Sequence, residues 1–328
     1  MKKFMRWGLA ALAAFALMLG VTGNVSAMDL GFYDEGVLVP RAIHNASNVD
    51  TVVGLTATAP GIVYWTYFSR NSDHLYDHYF PVTANDLYGF SLMGELGSNL
   101  IDQEGYLVFT LDVDCSTGLA GCEDAKINCA GDDETPFLAA NSFLVDTTAN
   151  DAIFVPVLPL DKDDYAVCTD LLAMDANSIE DAENGIPDDA QVDIRYWIDP
   201  VYCAATQMVV WTVGNGRGPD TVNVFDDAEH RTSLTMCWRY KELNLFDPTD
   251  TGVSANDNCV PGKYGTAAAF TAWPSSYIDG FMRICMPAEG IAYSYITSTY
   301  FGAAQTLLAA EGPPCDASPD GGGGPCCQ

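Results

Sequence analysis

Short runs of β-branched and aromatic residues, each closed by turn residues, recur along almost the whole chain. In the first half they are Thr51–Leu55, Ile62–Phe68, Gly105–Leu111 and Ala152–Val157. In the second half they are Val192–Ile198, Met208–Val213, Thr221–Phe225 and Ile291–Ile296. Strands of this length and spacing bury their apolar side chains only by pairing into sheets that pack face to face. Helical periodicity is scarce. One short helix is expected near Asp163–Ala173, with Asp161 as its N-cap and Asp164 three residues on. The expected fold class is all-β, as sandwiches.

The runs also repeat. Val52-Val53 is followed by Phe68 at the spacing that separates Val209-Val210 from Phe225. Each Phe opens a polar turn ending in His, at His74 in the first half and His230 in the second, where the turn is one residue shorter. With that gap, Asp86-Leu87 falls on Glu242-Leu243, Phe90 on Phe246, and Gly105-Tyr106 on Gly280-Phe281. The expected architecture is therefore two tandem sandwich units. The first spans 28–160, the second 191–311, and an acidic, partly helical connector covers 161–190.

The repeated unit resembles the immunoglobulin-like repeats of bacterial secreted and surface proteins. The resemblance rests on Tyr67-Phe68 with its turn, on Val224-Phe225-Asp226, and on the Gly-aromatic starts Gly105-Tyr106 and Gly280-Phe281. The Gly usual in that turn is absent from both copies. Such repeats imply scaffolding or adhesion and no single activity.

The N-terminus carries Lys2, Lys3 and Arg6, then an apolar run from Leu9 to Val21, then Val25-Ser26-Ala27. That is the pattern of a secretory signal peptide cleaved after Ala27, covering 1–27. The apolar run is shorter than the roughly 20 residues a membrane span needs. Export to the periplasm, cell surface or medium is expected, with no integral span after cleavage. Asp plus Glu number 44 against 14 Lys plus Arg, a formal net charge of −30. A surface this acidic repels phosphate backbones, which excludes nucleic-acid binding.

All 11 Cys follow the signal segment, and in an exported chain they are expected as disulfides. Cys115, Cys122 and Cys129 sit in an acidic insertion, 112–137. A second long loop, Asp247–Pro274, holds Cys259. Cys237 and Cys285 fall on strands that neighbour or face one another, so a Cys237–Cys285 bond is expected. The tail, 312–328, is rich in Gly and Pro and ends in Cys326-Cys327. It is expected to be flexible, to crosslink chains through those thiols, or to staple onto the body through Cys315.

Few residues point to chemistry. No nucleophile elbow, zincin motif or P-loop is present. His74 and His78, four apart on a strand, would share a face and could meet one zinc or copper ion with Asp77. The same segment reads more readily as an exposed hairpin turn with two polar His, and strong metal binding is not expected. Asp181–Asp189 resembles Asp-rich calcium repeats ending in Gly-Ile-Pro-Asp, with Ala182 where an acid belongs. Trp65, Trp197 and Trp211 lie in strand runs and are assigned to the core. Trp238 and Trp273 lie near loops and are the candidate sugar-stacking aromatics.

These features describe an exported, non-catalytic structural or interaction protein needing no cofactor. Its partner would be a protein or polysaccharide of the envelope or matrix, or another copy of itself. The alternative is a carbohydrate- or ligand-binding sandwich.

Overall fold

The computed structural model describes residues 32–45, 48–112, 126–127, 138–148, 150–166, 168–248, 270, 273–298, 300 and 303–315. The expected signal segment 1–27, most of the 112–137 insertion with its three Cys, most of the Asp247–Pro274 loop, and the tail beyond Cys315 lie outside them.

The first half contributes β1 (Gly36–Ile43), β2 (Val49–Ala57), β3 (Gly61–Ser69), β4 (His74–Val82) and β5 (Leu87–Ser91). After a single helical turn, α1 (Leu92–Leu96), come β6 (Glu104–Asp112), β7 (Lys126–Ile127), β8 (Leu138–Asp146), β9 (Asp151–Val155) and β10 (Leu158–Leu160). A two-residue strand, β11 (Thr169–Asp170), pairs with β7. The second half contributes β12 (Ala190–Trp197), β13 (Ala204–Thr212), β14 (Gly218–Asp226), β15 (Arg231–Trp238) and β16 (Leu243–Phe246). It ends with β17 (Asp279–Cys285), β18 (Gly290–Ser298), β19 (Ala303–Leu308) and β20 (Ala310–Pro314).

These strands build four larger antiparallel sheets, ordered β10-β1-β6-β3-β4, β5-β2-β8-β9, β15-β14-β17-β12-β20 and β16-β13-β18-β19. Apart from the β7–β11 pair, the two halves match strand for strand: β1 to β6 correspond in order to β12 to β17, and β8, β9 and β10 to β18, β19 and β20, with the same neighbours in each sheet. Even the isolated bridge that starts each half recurs, Asp34 with Leu138 and Ile186 with Gly290.

The sheets pack face to face in the order β5-β2-β8-β9, β10-β1-β6-β3-β4, β16-β13-β18-β19 and β15-β14-β17-β12-β20, and the edge strands β9 and β19 also meet, Thr306 Oγ1 donating to Phe154 O at 2.6 Å. Trp65 on β3 meets Phe90 on β5 edge-on at 5.0 Å, closing the first sheet pair. Trp238 on β15 meets Phe246 on β16 at 5.2 Å, closing the second. The middle two layers then pack back to back, so β3, β6 and β13 are buried on both faces over most of their length. This explains why Ile62–Phe68 and Met208–Val213 read as unbroken apolar runs instead of alternating ones.

Several expectations need correction. Only a 3-10 turn, Lys162–Asp164, forms where a helix over 163–173 was expected. The Asp161 cap and its reciprocal bond with Asp164 are present. Beyond it the backbone is diverted into the β11–β7 pair, and Leu171, Met174 and Ile179 turn into the core. The second half starts earlier than residue 191, because Ile186 already bonds Gly290. It also ends later, because Gly312–Pro314 belong to β20 and Cys315 N bonds Asp189 O.

The repeat alignment shifts as well. The β13–β14 connection is two residues longer than the β2–β3 connection, so Val53 matches Met208 and the Val-Val pairs are offset by two. An even slip keeps every side chain on its own face, which is why the pattern survived. The turns Ser69–Asp73 and Asp226–His230 are equal in length, each with a left-handed fourth residue, Ser72 (φ 62°) and Glu229 (φ 62°). The extra residue is a bulge in β4, between the partners of Tyr67 and Phe68. Asp73, not His74, therefore stands in the place of His230.

Gly105 and Gly280 open equivalent strands for a steric reason. A Cβ at Gly105 would run into the carbonyl oxygen of Phe68, and one at Gly280 into that of Phe225. The close approach seats two equivalent ring stacks, Phe68 on Tyr106 at 5.0 Å and Phe225 on Phe281 at 4.6 Å. Gly105→Ala and Gly280→Ala are each expected to destabilise the fold by about 1–3 kcal/mol, read as a lower urea midpoint with an unchanged slope.

Candidate functional site

The site grows from the contact between the two middle sheets. On β1, Arg41 points out of the first sheet pair and is fully buried by the second. Its Nε donates to Glu104 Oε1 at 2.7 Å, and its guanidinium lies 5.0 Å from the centre of the Tyr295 ring. Burial works against the charge, but the Glu104 carboxylate more than offsets it, so the pKa of Arg41 is raised. Glu104 also pairs with Arg70, which covers the Tyr240 ring at 5.0 Å. Beside this pair, Tyr106 meets Trp211 edge-on at 5.7 Å, and Tyr295 Oη donates to Tyr293 Oη at 3.2 Å.

The Ser69–Asp73 turn extends the contact. Arg70 O accepts from both Glu242 N and Leu243 N at 3.3 Å, and Asn71 Oδ1 accepts from Lys241 N at 3.4 Å. Glu242 is buried beside Ser72 and Tyr106, and burial pushes its carboxyl up to about 7. The Tyr106 phenol is held well above its ordinary range, by burial first and then by Glu242. Next to this turn a polar cleft of about 620 Å³ opens between the halves, lined among others by Asn45, Arg70, Asp73, Asp102, Gln103 and Tyr240.

A second buried acidic group lies where the connector packs on β1. Glu35 is pushed up to about 8, mainly by burial and then by its bond to Asp34. Asp164, with no exposed surface, is pushed up to about 7 by burial although Glu183 N and Asp161 N both bond to it. Both groups keep their protons to a higher pH than an exposed acid does.

The residues singled out in the sequence are placed differently. His74 pairs across the ladder with Phe68 and His78 with Trp65, and the bulge between them puts the two imidazoles on opposite faces. His74 Nε2 meets Asp77 Oδ1 at 3.2 Å, while His78 packs on Tyr79. Among the described residues no group of three or more His, Cys, Asp or Glu side chains is arranged to hold a metal. In the Asp181–Asp189 run, the carboxylate of Asp181 accepts from Ala182 N, and Gly185 lies against the Gly290 backbone.

Trp238 is a core residue, 2% exposed, packed on Phe246. Trp273 is half-buried over Tyr196 and Phe270, its indole donating to Tyr277 O at 3.1 Å. The exposed aromatics are elsewhere. Tyr202 and Tyr300 meet at 5.6 Å, Trp197 lies 5.9 Å from Tyr202, and Tyr300 is 68% exposed. Cys285 is bonded to Cys315, with Cα atoms 6.0 Å apart, and not to Cys237. It clasps the end of β17 to the end of β20 across the start of β12, so the tail does staple to the body through Cys315. Cys168 and Cys203 are also disulfide-bonded.

Neither a family model, nor a curated protein, nor a solved structure matches this chain. No helix among the described residues is long and apolar enough to cross a membrane.

Sequence reasoning missed Arg41 and Glu104. The available signal was an arginine inside an otherwise apolar strand, Gly36–Ile43, in a chain with only 14 basic residues. Removing one partner of a buried pair strands the other charge. Glu104→Gln is expected to cost about 3–5 kcal/mol in urea unfolding. Glu242 gives a pH signature. Its folded-state pKa lies above the ordinary 4.5, so its contribution is fully present below pH 4.5 and is lost as pH rises towards 7. Glu242→Gln is therefore expected to flatten the fall in melting temperature between pH 5 and pH 8.

Proposed function

We propose that the chain is an exported, non-catalytic structural or interaction protein of the bacterial envelope, cell surface or extracellular matrix. The observation that carries this reading is the back-to-back junction centred on Arg41 and Glu104. It packs the two repeated sheet pairs against each other through a buried ion pair, the kind of fixed contact that suits a spacer or adhesive module. The Cys285–Cys315 clasp fits an oxidising compartment, because it fastens the last strand to the sheet.

The two units are read as immunoglobulin-like domains. The pairings β2–β5 and β3–β6 correspond to the B–E and C–F pairs of that sandwich, and β4 takes the place of C′. The edges depart from it, since β1 lies where strand G would and β8 where strand A would.

Labelled mature protein added to intact cells of its own source is expected to bind saturably and to be displaced by unlabelled protein. Unsaturable binding, or retention of the full-length chain in the cytoplasm, overturns the reading. A second reading, carbohydrate binding, is favoured by the exposed Tyr202 and Tyr300 beside the half-buried Trp197, because flat aromatic faces stack on sugar rings. A glycan that quenches tryptophan fluorescence in the native chain but not in Tyr300→Ala would support it.

A further inference from the structure

The surface that forms the junction exists a second time, and there it is open. The ladders equate Ala42–Gly105 with Tyr196–Gly280 and Ile43–Glu104 with Trp197–Asp279. Arg195 and Asp279 thus stand where Arg41 and Glu104 stand, and they too form an ion pair, at 3.0 Å. Beside them Phe225 stacks on Phe281 as Phe68 stacks on Tyr106. The first set is buried by the second half, with Arg41 at 0% side-chain exposure; Arg195 is 54% exposed. The outer face of the β15-β14-β17-β12-β20 sheet is therefore an unfilled copy of the socket.

The complementary element also recurs. In the junction the socket receives the outer face of β16-β13-β18-β19. Its counterpart is the outer face of β5-β2-β8-β9, at the other end of the stack. That face carries Val52, Thr56, Leu87, Asn141, Phe143 and Phe154, with Leu87 71% and Phe143 40% exposed. Apart from Asp50, which is tied to Ser91 and Met93, no side chain on it is charged, although the chain carries 44 acids. A charge-free sheet face on so acidic a protein marks an interaction surface. The ladders place Phe143 where Tyr295 stands, so Arg195 of one molecule would cover Phe143 of the next as Arg41 covers Tyr295 within the chain.

We propose that the protein associates head to tail with further copies of itself, the β5-β2-β8-β9 face of one chain seating on the β15-β14-β17-β12-β20 face of another. This rests on the interaction-protein reading above and names its partner. Such a contact is heterologous and leaves both ends open, so it propagates into filaments of continuously stacked sheets. Asp193 and Arg283 replace Leu38 and Val108 of the filled socket, which makes the open one more polar and the contact reversible. The net charge of −30 and the acidic turn residues Asp227 and Glu229, facing Asp86 of the neighbour, oppose assembly until salt screens them.

Sedimentation velocity of the full mature chain, at low and high ionic strength and over a range of concentrations, reads the outcome. A mass ladder that grows with salt and concentration is expected, and it should persist in Cys326→Ser/Cys327→Ser, which separates it from tail crosslinking. Phe143→Lys and Phe281→Lys are each expected to remain monomeric with a native melting profile. Mixed one to one, they should give a heterodimer that grows no further, because each chain keeps one working face. Arg195→Ala, on an exposed side chain, should weaken the ladder even if Phe281→Lys misfolds. A single monomeric species throughout, a mixture that stays monomeric, or self-association in either single variant overturns the proposal. A chain that stays monomeric yet binds cells saturably sinks self-association alone, whereas an assembling chain that does not bind cells sinks the envelope reading alone.

Discussion

The buried Arg41–Glu104 pair is the constraint around which the molecule is arranged. A guanidinium with no exposed surface is tolerated only when a carboxylate, hydrogen bonds and aromatic faces replace the lost water. Glu104 supplies the counter-charge from β6, and Tyr295 supplies the face from the other half of the chain. The solvation of one strand of the first half thus depends on a strand more than two hundred positions later. Neither sheet pair reaches this arrangement alone, which ties their relative orientation to the stability of both.

That dependence explains the layering. Once the middle sheets lie back to back, β3, β6 and β13 have no solvent face, and their outward positions must be apolar, aromatic or paired. Tyr106 and Trp211 take the aromatic solution, Arg41 and Glu104 the paired one. Glu242, Ser72 and Tyr106 take a third, in which a carboxyl pushed up by burial shares hydrogen bonds with two hydroxyls. The outer sheets are free of this demand. Their exposed faces diverge, one into a polar surface with ion pairs and stacked rings, the other into a smooth face almost without charge.

Much of the fold was legible in the sequence because sheet pairing leaves a local trace. Gly105-Tyr106 and Gly280-Phe281 mark equivalent strands because a backbone contact forbids a side chain at the glycine. Asp161 and Asp164 announce their reciprocal cap, since that geometry needs only three residues. The helix beyond them failed because its apolar residues were claimed by the core. The His74–His78 pair failed because one bulged residue reverses the face on which a side chain emerges, and nothing in the residues themselves encodes it. Trp238 left its expected exposed place for a related reason: a tryptophan near a loop is buried or exposed according to what packs above it.

The sequence by itself determined the all-β class, the repeated strand order and the acidity of the surface, because periodicity, turn chemistry and charge are properties of short segments. Only the tertiary structure decided that the two copies press back to back, that Cys285 bonds Cys315, and that one Arg–acid pair is buried while its twin is exposed. Those outcomes depend on which faces meet across long separations. Two strands with nearly the same local pattern, such as those bearing Arg41 and Arg195, acquire opposite environments solely from what lies against them.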